Sequence, residues 1–345
     1  MRKVILGRSG LEVSAVGFGG IPIQRITEDE ALAVIHRALD LGVTFIDTAA
    51  GYGDSQRKIG RAIASRRDGL VIATKSGARK KAEILADVER SRSEMGVDVI
   101  DLYQLHGVSS PDTWRAFRSG GGLDGLLEAR ERGLIAHVGV SSHSLDMAME
   151  LVEQDVFETL QFPFNLVTSE PAERLIPRCR ERNTGFIVMK PLCGGQYDDA
   201  ELAFKFLNAF PDVVAIPGIE RIEEIEQIVA LVESGQRLSG DDKARAERIA
   251  AELGKLFCRR CGYCMPCPQG VPITQAMILD SLIKRLPPAG AAGAARNVAE
   301  KVAQCIDCAV CESKCPYDLP IRQSIRDAAA AGRAFLQEHG FETPE

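Results

Sequence analysis

No stretch of this 345-residue sequence approaches the roughly 18 uncharged apolar residues that a membrane span requires. Basic charge is not in excess either. With 42 Lys and Arg against 48 Asp and Glu, a formal net charge of -6, the chain has no positive field to neutralise many phosphates, so no nucleic-acid partner is expected. The opening MRKVILGRSGLEVSAVGFGG is basic and then apolar, but Gly, Arg and Glu interrupt it, unlike a secretory signal. The expectation is a cytoplasmic protein with no membrane partner. No G-x-G-x-x-G follows a strand-like run, which leaves a Rossmann-type dinucleotide site without support. GFGG, Gly17 to Gly20, reads on its own as a tight strand-to-loop turn. Cysteine is nearly missing from the first 257 residues, where only Cys179 and Cys193 occur and read as small core residues. A disulfide framework is therefore the weakest reading of the ten cysteines.

What is present divides in two. Over residues 1–250, short β-branched apolar runs alternate with longer segments of helical period, the pattern of a parallel sheet covered by helices. Strands are expected at Val13 to Phe18, Thr44 to Thr48, Leu70 to Lys75, Ile100 to His106, Ile135 to Ser141, Thr159 to Asn165, Phe186 to Pro191 and Val213 to Pro217. Eight such strands in about 250 residues is the size of an α/β fold of the (β/α)8 TIM-barrel class. A capping box from Thr27 to Glu30 opens a helix to Leu41 with Leu32, Ile35 and Leu39 facing inward. Lys3 to Leu6 and Val13, separated by GRSG, form a hairpin expected to plug the barrel's bottom.

In such barrels the chemistry sits at the carboxyl ends of the strands. Three consecutive strands end in polar residues: IDTAAGYG carries Asp47 and, five residues on, Tyr52; VIATK ends in Lys75; DLYQLH ends in His106. A phenol with a pKa of about 10 is a poor proton donor near neutrality, but a buried ammonium beside it stabilises the phenolate. Lys75 fits that role. A buried ammonium needs a counterion, which Asp47 supplies. His106 is placed to orient a carbonyl oxygen while hydride reaches the carbon from elsewhere.

In this tetrad, in its order, strand positions and five-residue Asp-to-Tyr step, the sequence resembles the aldo-keto reductase superfamily over residues 3–235. GVSSHS (Gly139 to Ser144), QFPFN (Gln161 to Asn165), MKPLCGG (Met189 to Gly195) and AIPG (Ala215 to Gly218) extend the likeness. The resemblance implies that Ser141, Ser142 and Gln161 hold the nicotinamide carboxamide. It implies further contacts with the dinucleotide from Gly19, Gly20, Met189, Lys190, Pro191, Leu192, Gly194, Pro217, Gly218, Arg221 and Glu224. Two departures stand out. Met189 occupies the place where many members stack an aromatic ring, and Arg221 lies among Glu220, Glu223, Glu224 and Glu226, carboxylates that repel a 2'-phosphate. NADH and NADPH both remain open.

Residues 251–345 hold the other eight cysteines, as CRRCGYCMPCP (258–268) and CIDCAVCESKCP (305–316). The latter is C-x2-C-x2-C-x3-C-P, the spacing of two-cluster bacterial ferredoxins, in which the fourth cysteine of each run reaches the other 4Fe-4S cube, and the former shortens the last gap by one residue. By that crossing rule, one cluster takes Cys258, Cys261, Cys264 and Cys315, and the other takes Cys305, Cys308, Cys311 and Cys267. Zinc knuckles are the competing reading of paired C-x2-C; the doubled, evenly spaced run favours iron-sulfur. Between the runs, Thr274 to Arg285 reads as a helix and PPAGAAGAARN as a connection before another, making a mainly helical, ferredoxin-like iron-sulfur domain. GYCMPCPQGVPI resembles the ferredoxin-type tail of one branch of aldo-keto reductases.

The leading expectation is a nicotinamide-dependent oxidoreductase interconverting a small-molecule carbonyl (aldehyde, ketone or sugar) and its alcohol. The alternative is an electron-transfer or redox-sensing protein that keeps the barrel as a binding module. Nicotinamide gives two electrons as hydride whereas each cube takes one, and no flavin motif bridges them. The clusters therefore have either a structural role or an exchange role with bound substrate or a redox partner protein.

Overall fold

A computed structural model describes residues 1–344. The chain forms two compact units, Met1–Lys243 and the residues from Ala244 onward, dividing within the helix Gly240–Gly254.

The first unit opens with an antiparallel hairpin of β1 (Lys3–Ile5) and β2 (Glu12–Ser14), with Val4 paired to Val13. Its alternation places Val4 and Val13 inside and leaves Ile5 62% exposed. The turn bridges to Thr184, and Arg8 donates to the carbonyls of Asp155, Phe157 and Arg182. These residues precede strands β8 and β9 given below, so the hairpin closes the amino-terminal end of the barrel.

Eight parallel strands follow: β3 (Phe18–Gly19), β4 (Phe45–Asp47), β5 (Val71–Ser76), β6 (Ile100–Leu105), β7 (Ile135–Ser141), β8 (Thr159–Pro163), β9 (Gly185–Met189) and β10 (Val213–Ile216). They pair in sequence order, and parallel bridges Val16 to Ala215 and Gly19 to Gly218 bring the first strand to the last, closing a (β/α)8 barrel. Closure explains the glycines. A Cβ on Gly19 would lie 2.5 Å from the Pro217 carbonyl oxygen, and one on Gly17 would lie 2.7 Å from the Phe45 ring. The run from Val13 to Phe18 is not one strand but is divided between β2 and β3. The reason is local: Ser14 and Thr44 exchange side-chain-to-backbone hydrogen bonds at 2.9 and 2.8 Å, and the Ser14 hydroxyl donates to the Val16 carbonyl.

Helix α1 (Glu28–Asp40) begins at Thr27, whose hydroxyl accepts from the Glu30 amide while Glu30 reaches back to the Thr27 amide. Ile35 and Leu39 are buried, joined by Ala31, Val34 and Ala38, whereas Leu32 is only half-buried at the edge of that face. Helix α2 (Ser55–Ile63) follows the loop after β4.

The second unit is helical among its described residues. Leu279, Ala291, Ala295, Val298, Ile325 and Leu336 are central to its core. PPAGAAGAARN is not a connection: Pro288–Lys301 is one helix, with Pro288 at the first helical position and alanines supplying propensity. Conversely, Thr274 to Arg285 is broken into Ile273–Ala276 and Leu279–Arg285. Gly332 lets the long helix Ile321–Glu338 approach Pro288–Lys301 closely, since a Cβ there would stand 3.1 Å from Leu279 Cδ2 and 3.2 Å from the Ala295 carbonyl oxygen.

Candidate active site and cysteine cavities

Strand register assembles the polar residues at the carboxyl end of the barrel. Asp47 pairs with Ala73, which puts Lys75 one pleat further along β5, opposite Gln104 of β6. Asp47 and Lys75 are 3% and 2% exposed. The Lys75 ammonium donates to Asp47 Oδ1 at 2.5 Å and to the Thr48 carbonyl at 2.8 Å. Burial pushes the Asp47 carboxyl up from its usual range, while Lys75, Gln104 and Gln161 pull it back. Burial also penalises the Lys75 ammonium, but Asp47 and Tyr52 more than offset this and hold its pKa above the ordinary lysine value. The lysine is therefore a persistent buried cation.

Tyr52 sits in the loop between β4 and α2, where its amide donates to Ala49 and its carbonyl accepts from Ser55. Lys75 Nζ lies 5.2 Å from the centre of its ring. His106, whose amide donates to the Ser76 carbonyl, meets the Tyr52 ring edge to face with centroids 6.0 Å apart. Both rings are half-buried. All four tetrad residues thus share one mouth. Sequence reasoning missed Gln104, a fully buried side chain whose Nε2 donates to Asp47 Oδ2 at 3.2 Å. Its signal was a polar residue on the His106 side of the pleat in DLYQLH.

Around this mouth lie the residues expected to hold a dinucleotide. Ser141 pairs with Gln161 across β7 and β8, but the Ser141 hydroxyl is occupied by the Gly107 amide and the Leu105 carbonyl, and the Ser142 hydroxyl by Ser144. Gln161 differs. It is 2% exposed and bonds Asp47 through its side chain, yet its Oε1 has no partner. An unmatched buried acceptor fits the NH2 of a carboxamide. Met189 ends β9, half-buried, and the following loop turns through left-handed Lys190, Cys193, Gly194 and Gly195, with Pro191 buried and Leu192 half-buried. Pro217 and Gly218 follow β10 beside Gly19 and Gly20; the Pro217 carbonyl accepts from the Gly19 amide at 2.8 Å. Gly20 is confined too, since a Cβ there would lie 2.9 Å from Ser55 Oγ. Arg221 is exposed and held by Glu224 through Nε at 2.9 Å, and Glu224 also accepts from the Glu220 and Arg221 amides.

In the second unit the cysteines ring two cavities. One is lined by Cys258, Cys261, Cys264 and Cys315, with Tyr263, Tyr317 and Arg259, whose guanidinium stacks 3.8 Å above the Tyr317 ring. The other is lined by Cys267, Cys305, Cys308 and Cys311, with Ile306, Val310, Ile325 and Arg322. Cys264 also touches the second cavity. Burial, then the neighbouring Cys258 and Cys261, push the Cys264 thiol up to about 12. One concavity is walled by four cysteines and the other by five, Cys264 being shared, and both suit bulky thiolate-ligated groups. Among the described residues, no three His, Cys, Asp or Glu side chains are placed to hold a single metal ion. No helix among the described residues is long and apolar enough to cross a membrane.

Comparison with known proteins yields two family matches: aldo/keto reductase family over residues 15–204, more than half the chain, and 4Fe-4S dicluster domain over 257–320. Two proteins of Bacillus subtilis (strain 168) are similar. Uncharacterized oxidoreductase YqkF is 30% identical over 213 residues, covering 56% of this chain and 66% of the relative. Aldo-keto reductase YhdN is 28% identical over 214 residues, covering 56% and 63%. The chain thus spans slightly under two thirds of each of these relatives. Among solved structures, the holo form of aldo-keto reductase AKR11C1 from Bacillus halodurans has a TM-score of 0.61 at 24% identity, over 72% of this chain and 96% of that one. An aldo-keto reductase from Klebsiella pneumoniae in complex with NADP and acetate has the same TM-score and coverages at 22% identity. At these identities the structural likeness is one of fold.

Proposed function

The chain belongs to the aldo/keto reductase family, and we propose on that footing that it interconverts an aldehyde, ketone or sugar carbonyl with its alcohol, using NADPH or NADH. The observation that carries the reading is the buried Lys75 ammonium, 2.5 Å from Asp47 and 5.2 Å from the Tyr52 ring. When bound, the dinucleotide supplies or accepts hydride at carbon. The chain's own residues handle the oxygen and its proton. Tyr52 gives its hydroxyl proton to the carbonyl oxygen in reduction and takes it back in oxidation. Lys75 stabilises the phenolate left behind, and Asp47, steadied by Gln104, keeps the lysine charged in its buried setting. His106 hydrogen-bonds and orients the carbonyl oxygen. Gln161 Oε1 would meet the nicotinamide carboxamide, and the loops after β9 and β10 would hold the phosphates. That Klebsiella relative binds NADP; in this chain Arg221 would have to leave Glu224 to meet a 2'-phosphate. Tyr52→Phe should lower kcat for NAD(P)H-dependent reduction of an aldehyde panel by about 10²–10⁴-fold. Undiminished turnover would end this reading.

The 4Fe-4S dicluster domain is read as structural. Cys258, Cys264, Cys267, Cys305, Cys311 and Cys315 pack against the helical core, so clusters held by these cysteines would staple that core. Anaerobic purification should yield iron and acid-labile sulfide in equal amounts. Stoichiometric zinc in their place would overturn the assignment.

A further inference from the structure

One buried cation in the barrel is unused by this chemistry. Lys58 of α2 is 4% exposed, and its ammonium has three acceptors: the Ile26 carbonyl at 2.7 Å, the Ile23 carbonyl at 2.9 Å and Asp54 Oδ2 at 3.1 Å. Three acceptors match the donor capacity of an ammonium. Asp54 lies two residues beyond Tyr52, while Ile23 and Ile26 belong to the 3₁₀ turn Pro22–Arg25 and its end. This turn is a wedge with two working sides. On one side Gln24 Oε1 lies 3.1 Å from where a Cβ on Gly53 would stand, directly after Tyr52. On the other, Pro22 Cγ lies 2.9 Å from the Cβ position of Gly218, and Arg25 forms an ion pair with Glu220. A single ammonium therefore ties the loop carrying Tyr52 to the loop after β10.

We propose that Lys58 is a positioning residue, setting the distance between the Tyr52 hydroxyl and the dinucleotide through the 22–26 wedge. This rests on the assignment of Tyr52 as proton donor. A methionine at this position keeps the stem but leaves two carbonyls and Asp54 without the cation, freeing the wedge to shift. Arginine keeps the charge and several donors.

The test compares wild type, Lys58→Met, Lys58→Arg and Tyr52→Phe for kcat, KM, the Kd of NADPH and NADH by fluorescence, and the primary isotope effect with 4-deuterated dihydronicotinamide. Displacement of about 1 Å costs on the order of 10²-fold in rate. Lys58→Met should therefore lower kcat about 10–100-fold, weaken dinucleotide binding and raise the isotope effect, with Lys58→Arg restoring most of each. A folded Lys58→Met with unchanged kcat, Kd and isotope effect overturns the proposal. If Tyr52→Phe also leaves turnover intact, the Tyr52 assignment fails with it; if Tyr52→Phe is inactive, only the role of Lys58 falls. Should Lys58→Met not fold, Arg25→Ala releases the other side of the wedge. A rise of at least about threefold in dinucleotide Kd, roughly the value of one exposed ion pair, supports the proposal, and no change refutes it.

Discussion

The barrel and the cysteine-bearing unit face the same electrostatic problem and answer it differently. In the barrel, a buried carboxylate at the site meets a buried ammonium supplied by the next strand, so the charges balance within the polypeptide. In the second unit, four cysteines line one cavity and five the other, Cys264 being shared, and burial with neighbouring thiols holds Cys264 up at about 12. A thiolate so disfavoured would be stabilised by the positive charge of bound iron. The cores differ in the same sense. Phe18, Phe45, Phe117 and Phe164 are fully buried in the first unit, whereas the helix Pro288–Lys301 of the second buries mainly alanines. The first unit thus carries its own site-forming forces, while the second leaves part of its interior to its clusters.

Stripping the iron is the strongest way to break that contrast. Structural zinc in small domains contributes about 10–16 kcal/mol, and cluster loss on a comparable scale should abolish hydrogen-exchange protection in both long helices while β4 to β9 stay protected. Equal protection before and after would refute a stapling role. Next in size is Lys75→Met, which strands Asp47 as an uncompensated buried charge and should cost about 3–5 kcal/mol by denaturant melting. The pH dependence sharpens it. The folded pKa of Lys75 lies above the unfolded 10.5, so its contribution is fully present below that value and fades as pH rises through the folded pKa. Lys75→Met should flatten this alkaline limb; an unaltered limb would show that the pair adds no pH-linked stability. A smaller loss is expected of Gln104→Leu, which removes one donor from the buried Asp47 and should cost about 1–3 kcal/mol, read as a lower Tm with reduced kcat. A Tm equal to wild type would mean that the contact is idle. Smallest is Glu224→Gln. Freeing Arg221 from an exposed pair worth about 0.2–1 kcal/mol should shift the ratio of Kd values toward NADPH by up to about fivefold, and no shift would exclude Arg221 as a 2'-phosphate contact.

Much of this was legible along the chain because it repeats. Alternating strand and helix periods announced the barrel, and polar residues ending three apolar runs marked Asp47, Lys75 and His106, since strand ends in such folds project toward one mouth. The doubled cysteine spacing likewise paired 258–267 with 305–315. Other features lacked a periodic signal. Gln104 reads as an ordinary strand residue until β6 is set beside β5, and PPAGAAGAARN reads as a breaker-rich link because its helix relies on neighbours for burial.

By itself, then, the order of residues determined which groups are available: a phenol five positions after a carboxylate, a lysine and a histidine on the next two strands, and two cysteine runs. Tertiary structure alone decided their distances and their charge. Lys75 is held as a cation, against the penalty of its burial, because β4 and β5 bring Asp47 to 2.5 Å. Lys58 reaches two carbonyls more than thirty residues away only because α2 packs beneath the 22–26 turn. Spacing along a chain can specify a neighbour, but desolvation, and with it the strength of each charge, depends on everything else that folds around it.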